Sequence, residues 1–212
     1  MSVIAVVNQK GGVGKTTIAT NLAGAAVARG ARVRLFDANP TQGSAYAWSK
    51  MRPQSDALTA VRVDGDYRKE VYADVPAYDH IVIDTPPNLD AETRCAMAVA
   101  DIIVVPLRIG QYDIWSVSQT ARVIDDIKIL RPVRAIAFVN AVPHYIVKEL
   151  DDAKDTIRQF PETFELGPTF IDRGGFRRTA KTGLAVTELT GEFRDLKATD
   201  EFEMLYREVF GD

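Results

Sequence analysis

Val3-Ile4-Ala5-Val6-Val7-Asn8-Gln9-Lys10-Gly11-Gly12-Val13-Gly14-Lys15-Thr16-Thr17 is the stretch that decides the fold. Its first five residues are an unbroken β-favouring run. No basic segment precedes them, so they read as a strand and not as a signal peptide. Gly11, Gly12 and Gly14 then let backbone N–H groups curl around an anion without Cβ clashes. Beyond the loop, Ile18, Leu22 and Ala26 share one face of a helix from Thr16 to Arg29, with Gly30 as its stop. A strand, a glycine loop and a helix in that order aim the positive end of a helix dipole at the loop. Val13 and Thr17 belong to the same cradle, and Lys15 supplies a charge for the β- and γ-phosphates of a nucleotide. The Thr16 hydroxyl suits Mg²⁺. The common form of this loop has a glycine where Gln9 stands, so this is a variant, and it carries an extra lysine, Lys10. ATP with Mg²⁺ is the expected ligand.

Short apolar runs recur down the chain. Arg32–Phe36 ends at Asp37, Ile81–Ile83 at Asp84, Ile102–Val105 at Pro106, and Ala135–Val139 at Asn140. Helical patterns separate most of them, notably Ala91–Ala100 and Ser116–Leu130. Strands apolar on both faces and alternating with helices predict an α/β fold: a mostly parallel twisted sheet with helices on both sides. Ligands of such sheets bind beyond the carboxyl ends of the strands, so the polar residues at those ends are the candidates.

A chain of 212 residues without repeats, low-complexity tracts or a clear linker is expected to form one domain, 1–212. Its formal net charge of −3 gives no global case for nucleic-acid binding, so any such surface must be local. Cys95 is the single cysteine and His80 and His144 the two histidines, too few for a disulfide or a Cys/His zinc cluster. A reducing cytoplasm is the expected setting. No apolar run reaches the roughly 18 residues needed to cross a bilayer.

Asp84, at the tip of an apolar strand, stands where P-loop proteins place a Mg²⁺ ligand, direct or through a bound water; read alone, a turn or capping residue is the lesser alternative. The stretch Asp37-Ala38-Asn39-Pro40-Thr41-Gln42-Gly43 can simply build a turn, but Asp37 puts a further carboxylate near the metal.

Together, Lys10-Gly11-Gly12-Val13-Gly14-Lys15-Thr16-Thr17 and Asp84-Thr85-Pro86-Pro87 resemble the ParA/MinD family of deviant-Walker P-loop ATPases. The match is strong to about residue 140 and looser afterwards. Within that family the chain is similar to the small ParA proteins, which position plasmids, chromosome regions or protein organelles. The resemblance implies that Lys10 reaches across an ATP sandwich homodimer to the phosphates of the facing subunit. It makes the Asp37 region switch I and the Asp84 region switch II, and gives Asn140, otherwise an ordinary turn former, a part in reading adenine. The family usually has Asp-x-Asp-Pro-Gln after the second strand, and its second Asp orients the attacking water. Here Asn39 takes that place and Thr41 is inserted before Gln42. An amide does not accept the water's proton as a carboxylate does, so slow hydrolysis and a long-lived dimer are expected. The Asn is either natural or a substitution that traps ATP. Iron proteins that share this loop hold a cluster with two cysteines per subunit, which Cys95 alone does not provide.

The segment Arg173-Gly174-Gly175-Phe176-Arg177-Arg178-Thr179-Ala180-Lys181 holds four cations and no acid, with Arg177 and Lys181 four apart on one helical face. It lies where small ParA proteins bind DNA non-specifically, through phosphates. A solvated loop or a protein contact is the plainer reading. The resemblance adds a ParB-like cargo adaptor and a nucleoid-associated cytoplasmic location. The stretch from Gly191 to Asp212 carries seven acids against three bases, which argues against the membrane-binding helix of the MinD branch. Phe202, Leu205, Val209 and Phe210 make it a candidate core helix.

Overall fold

The computed structural model describes residues 1–53, 56–110, 114–146 and 148–211. Among these residues seven strands form one sheet: β1 (Ser2–Val6), β2 (Val33–Asp37), β3 (Leu58–Arg62), β4 (His80–Asp84), β5 (Ile102–Leu107), β6 (Arg134–Val139) and β7 (Glu165–Leu166). Their order is β3-β2-β4-β1-β5-β6-β7. Every pairing is parallel, so the sheet is fully parallel where a mostly parallel one is expected from sequence. The helices are α1 (Lys15–Ala28), α2 (Ser44–Met51), α3 (Arg68–Asp74), α4 (Ala91–Val99), α5 (Ile114–Leu130), α6 (Lys148–Arg158), α7 (Gly174–Thr182) and α8 (Leu196–Phe210).

Side chains two apart on a strand point to the same face, and the two faces fill separately. Val3, Ala5 and Val7, Ile81 and Ile83, and Ile103 and Val105 pack with α3, α4, α5 and α6. Ile4, Val6, Val82, Val104, Ile136 and Phe138 pack with α1, α2 and α8. Each fully buried Ile or Val contributes roughly 1.5–3 kcal/mol, so both layers hold the central strands in place. The expected core helix at the C-terminus is α8, which buries Phe202, Leu205 and Val209, with Asp212 outside the described residues. No described helix is long and apolar enough to cross a membrane.

One strand boundary needs correction. β5 continues through Pro106 to Leu107 and does not stop at the proline. Pairing with β1 has ended at Val104, so the missing N–H of Pro106 leaves no ladder bond unmade on that side. The Pro106 carbonyl is taken by the Asn8 side-chain amide at 2.8 Å.

Register carries the site. Asp84 is level with Val6 on β1 and with Asp37 on β2. Neighbouring strands lie about 4.8 Å apart. The two carboxylates therefore stand side by side at the carboxyl edge, directly under the loop that leaves β1.

Candidate functional site

The loop from Asn8 to Gly14 is closed by its own residues. Asn8 Oδ1 accepts the Lys10 N–H at 2.8 Å, and Lys15 Nζ donates to the Lys10 carbonyl at 2.9 Å. Asn88, beyond β4, donates its N–H to the Gln9 carbonyl at 2.7 Å and ties the two loops together. Gly14 has φ +99°, and a Cβ there would lie 2.3 Å from Asn140 Nδ2, so only glycine fits. α1 begins immediately after it, with no acid in its first turn to satisfy the N–H groups. That end of the helix is left for an anion.

Lys15 is buried, and desolvation draws its pKa down to about 8 against the opposing pull of Asp84. Thr16 Oγ1 donates to Asp84 Oδ2 at 2.7 Å. Burial pushes the Asp84 carboxyl up to about 7, against the Thr16 hydrogen bond and Lys15 and with help from Asp37. Asp84 Oδ1 is buried without a hydrogen-bond partner. A hydroxyl and a carboxylate in contact, with one carboxylate oxygen orphaned beside a phosphate cradle, fit a Mg²⁺ ion held by Thr16 and Asp84.

Asp37 stands next to them but has other partners. Its Oδ1 accepts the Asn39 N–H at 3.1 Å and its Oδ2 the Tyr46 N–H at 2.8 Å. In this conformation Asp37 anchors the loop between β2 and α2, level with Asp84 on the neighbouring strand. Asn39 is buried at the head of that loop. Its Oδ1 accepts from Thr41 Oγ1 at 2.9 Å and from the Gln42 N–H at 3.2 Å. Arg62 clamps the same loop from β3 by donating to the Pro40 carbonyl at 2.5 Å.

A cavity of about 410 Å³ is lined by Gly12, Gly14, Thr17, Asn140, Ile171, Asp172 and Phe176. Asn140 Nδ2 donates to the Val13 carbonyl at 2.7 Å, which leaves its carbonyl oxygen for a base. Gly11 and Gly12 are exposed and Val13 is buried. Sequence reasoning passes over Asn8, Arg108 and Asp172. The rule that singles out Asp37 and Asp84, polarity just past an apolar run, applies equally to Asn8 and Arg108. Arg108 NH1 reaches the Gly12 carbonyl at 3.4 Å.

The basic segment divides. Arg177 and Lys181 lie on α7, both exposed, and the Arg178 guanidinium donates to the Phe193 carbonyl at 3.3 Å. Arg177 also meets Asp172 at 2.7 Å across the cavity rim. Arg173 is paired inside the fold. Its Nε and NH2 grip Glu201 of α8 at 2.8 and 2.6 Å, with both side chains mostly buried. Breaking such a pair leaves a buried charge, at roughly 3–5 kcal/mol, so Arg173 is a staple between α7 and α8.

Residues 4–198 match the model of the CobQ/CobB/MinD/ParA nucleotide binding domain. The chain is 30% identical to the maintenance of carboxysome distribution protein A of Halothiobacillus neapolitanus, over 97% of this chain and 95% of that one. It is 31% identical to the chromosome partitioning protein ParA of Caulobacter vibrioides, over 60% and 64% of the two chains. Among solved structures, apo McdA from Cyanothece superposes with a TM-score of 0.78 at 16% identity, over the whole of both chains. The cell-division ATPase MinD of Pyrococcus furiosus superposes with a TM-score of 0.76 at 18% identity, over 98% of each. The chain belongs to the CobQ/CobB/MinD/ParA family of nucleotide-binding domains, the ParA/MinD group of ATPases.

Proposed function

We propose that this chain, acting over 1–212 as one ATPase unit, is a ParA-type positioning ATPase whose Mg·ATP-bound homodimer sits on DNA and moves a cargo. The observation that carries this reading is the loop with two lysines, Lys10 and Lys15, above the Thr16–Asp84 contact of 2.7 Å. The loop N–H groups and the α1 terminus take the phosphates, and Lys15 neutralises their charge. Asn140, seated against the loop at Val13 and Gly14, meets the base within the same cavity. Thr16 and Asp84 would hold Mg²⁺, which would supply charge neutralisation for the phosphates. Asn39 orients the attacking water, and Lys10 reaches the phosphates of the facing subunit.

Arg177, Arg178 and Lys181 are the DNA-facing cations of α7. Two such patches on one dimer face raise avidity without reading sequence. A ParB-like adaptor on the cargo stimulates hydrolysis and releases the dimer. The near full-length similarity to a carboxysome distribution protein favours a protein organelle as cargo over a plasmid or chromosome region. The place of action is the nucleoid in the cytoplasm. A MinD-like membrane role is disfavoured because α8 is packed into the core.

The test is ATP-dependent dimerisation followed by light scattering. Lys10→Ala is expected to bind ATP as a monomer and fail to dimerise; dimerisation equal to the parent would refute the reading. Arg177→Glu with Arg178→Glu should lose ATP-dependent DNA retention while ATP binding persists. A second reading, a dimerisation switch with little turnover, is favoured by the hydrogen bonds that occupy Asn39. Phosphate release with saturating DNA and adaptor separates the two.

A further inference from the structure

We infer that Thr41 is a built-in brake on hydrolysis, acting by occupying the oxygen of Asn39. The inference rests on the proposed reading of Asn39 as the residue facing the attacking water. An amide oxygen has two lone pairs. At Asn39 both are used: Thr41 Oγ1 donates to Oδ1 at 2.9 Å and the Gln42 N–H at 3.2 Å. The backbone donor fixes which end of the amide is oxygen, since an NH₂ group there would face another N–H. Nδ2 in turn donates to Gln42 Oε1 at 3.2 Å. What Asn39 has left for a water is an N–H, which binds a water's lone pair and turns its protons away. That polarity opposes proton acceptance from an attacking nucleophile. A carboxylate at the same position has about four acceptor sites, and would keep two after the same two bonds. The brake therefore needs both departures together, the amide at 39 and the hydroxyl at 41. Thr41 is a positioning residue, exposed at the surface of the loop.

The experiment is steady-state phosphate release by the full chain over a range of ATP concentrations. It compares the parent, Thr41→Val, Thr41→Ser, Asn39→Asp and the Thr41→Val/Asn39→Asp double variant. Thr41→Val should raise kcat by roughly threefold or more, with KM for ATP little changed. Thr41→Ser keeps the hydroxyl and should stay at the parent rate. Asn39→Asp should be faster than the parent, and adding Thr41→Val to it should change nothing, because the carboxylate is not saturated. Thr41→Val at or below the parent kcat, while Asn39→Asp is faster, overturns the brake and leaves the role of position 39 standing. Asn39→Asp no faster than the parent overturns both. A Thr41→Ser variant as fast as Thr41→Val overturns the brake as well, since loop loosening would then explain the gain.

Discussion

The tips of β2 and β4 end in the same residue type at the same level of the sheet, yet they do different work. Asp37 and Asp84 are register partners, and both are buried. Asp37 gives both oxygens to backbone N–H groups, those of Asn39 and Tyr46. Asp84 has one oxygen on Thr16 and one with no partner. The chain that follows each strand makes the difference. After β2 the chain turns into the loop before α2, and its N–H groups fall on the Asp37 carboxylate. After β4 the chain turns away, and its Asn88 N–H goes to the Gln9 carbonyl. One carboxylate is therefore spent on folding, and the other is held in reserve, at a cost to the ligand-free protein.

The largest expected effect comes from exchanging these carboxylates one at a time. Asp84→Asn should lower Mg²⁺-dependent ATP hydrolysis by roughly 100-fold or more while the protein stays folded. Phosphate release and circular dichroism together check this. Asp37→Ala should act on the fold first: it strips the acceptor from one buried and one part-buried N–H group, at roughly 1–3 kcal/mol for the buried one. Denaturant unfolding should show that loss for Asp37→Ala and none for Asp84→Asn. If the two variants lose activity and stability in the same proportion, the contrast between the tips is wrong.

Much of this site is legible in one dimension. An apolar run that stops at a polar residue marks a strand tip, and Asp37, Asp84 and Asn140 stand out for that reason. The glycine–lysine loop before a helix is legible because its chemistry requires contiguous residues. What each carboxylate touches is not legible, because the partner N–H of Tyr46 arrives through a loop of unknown path. The Arg173–Glu201 pair hides for the same reason: its partners are 28 residues apart. In the fold, β3 is only partly buried and has no long apolar run, and β7 has two residues, so neither announces itself. Pro106 misleads because its effect depends on where the neighbouring strand ends.

The reserved carboxylate should be visible as a pH dependence of the ligand-free protein. Asp84 is raised from the ordinary 3.8 to about 7. The unfolded chain then loses this proton before the folded one does. Stability is full below pH 4 for this group and falls as pH rises towards 7, by roughly 2–4 kcal/mol. Lys15 is lowered to about 8, so its contribution runs the other way, recovering as pH rises from 8 towards 10.5. The melting temperature without nucleotide should carry a dip centred between pH 7 and 8. Asp84→Asn should remove the acid side of that dip and keep a basic side that begins at lower pH, because Asp84 no longer holds Lys15 up. Asp37→Asn should keep the acid side but shorten it, because the Asp37 charge helps raise Asp84. A melting temperature independent of pH from 5 to 8 would count against the reserved carboxylate.

The smallest expected effect tests the hydrogen bond that the Asp84 carboxylate accepts from Thr16. The Thr16 hydroxyl favours the charged carboxylate and holds its pKa below what burial alone would set. Thr16→Ala removes that donor while the strand, the register and the neighbouring Lys15 stay as they are. The acid arm of the stability curve should then move to higher pH and become longer, because the folded protein keeps its proton further. Below pH 4 the carboxyl is protonated in both states, and the variant should differ from the parent by no more than about 1 kcal/mol, the worth of an ordinary hydrogen bond. Paired melting curves at pH 5 and pH 8 read this directly. The gap between parent and variant should be wider at pH 8. An equal gap at both would mean that the hydroxyl serves packing alone, and that the Asp84 tip is less distinct from the Asp37 tip than its orphaned oxygen indicates.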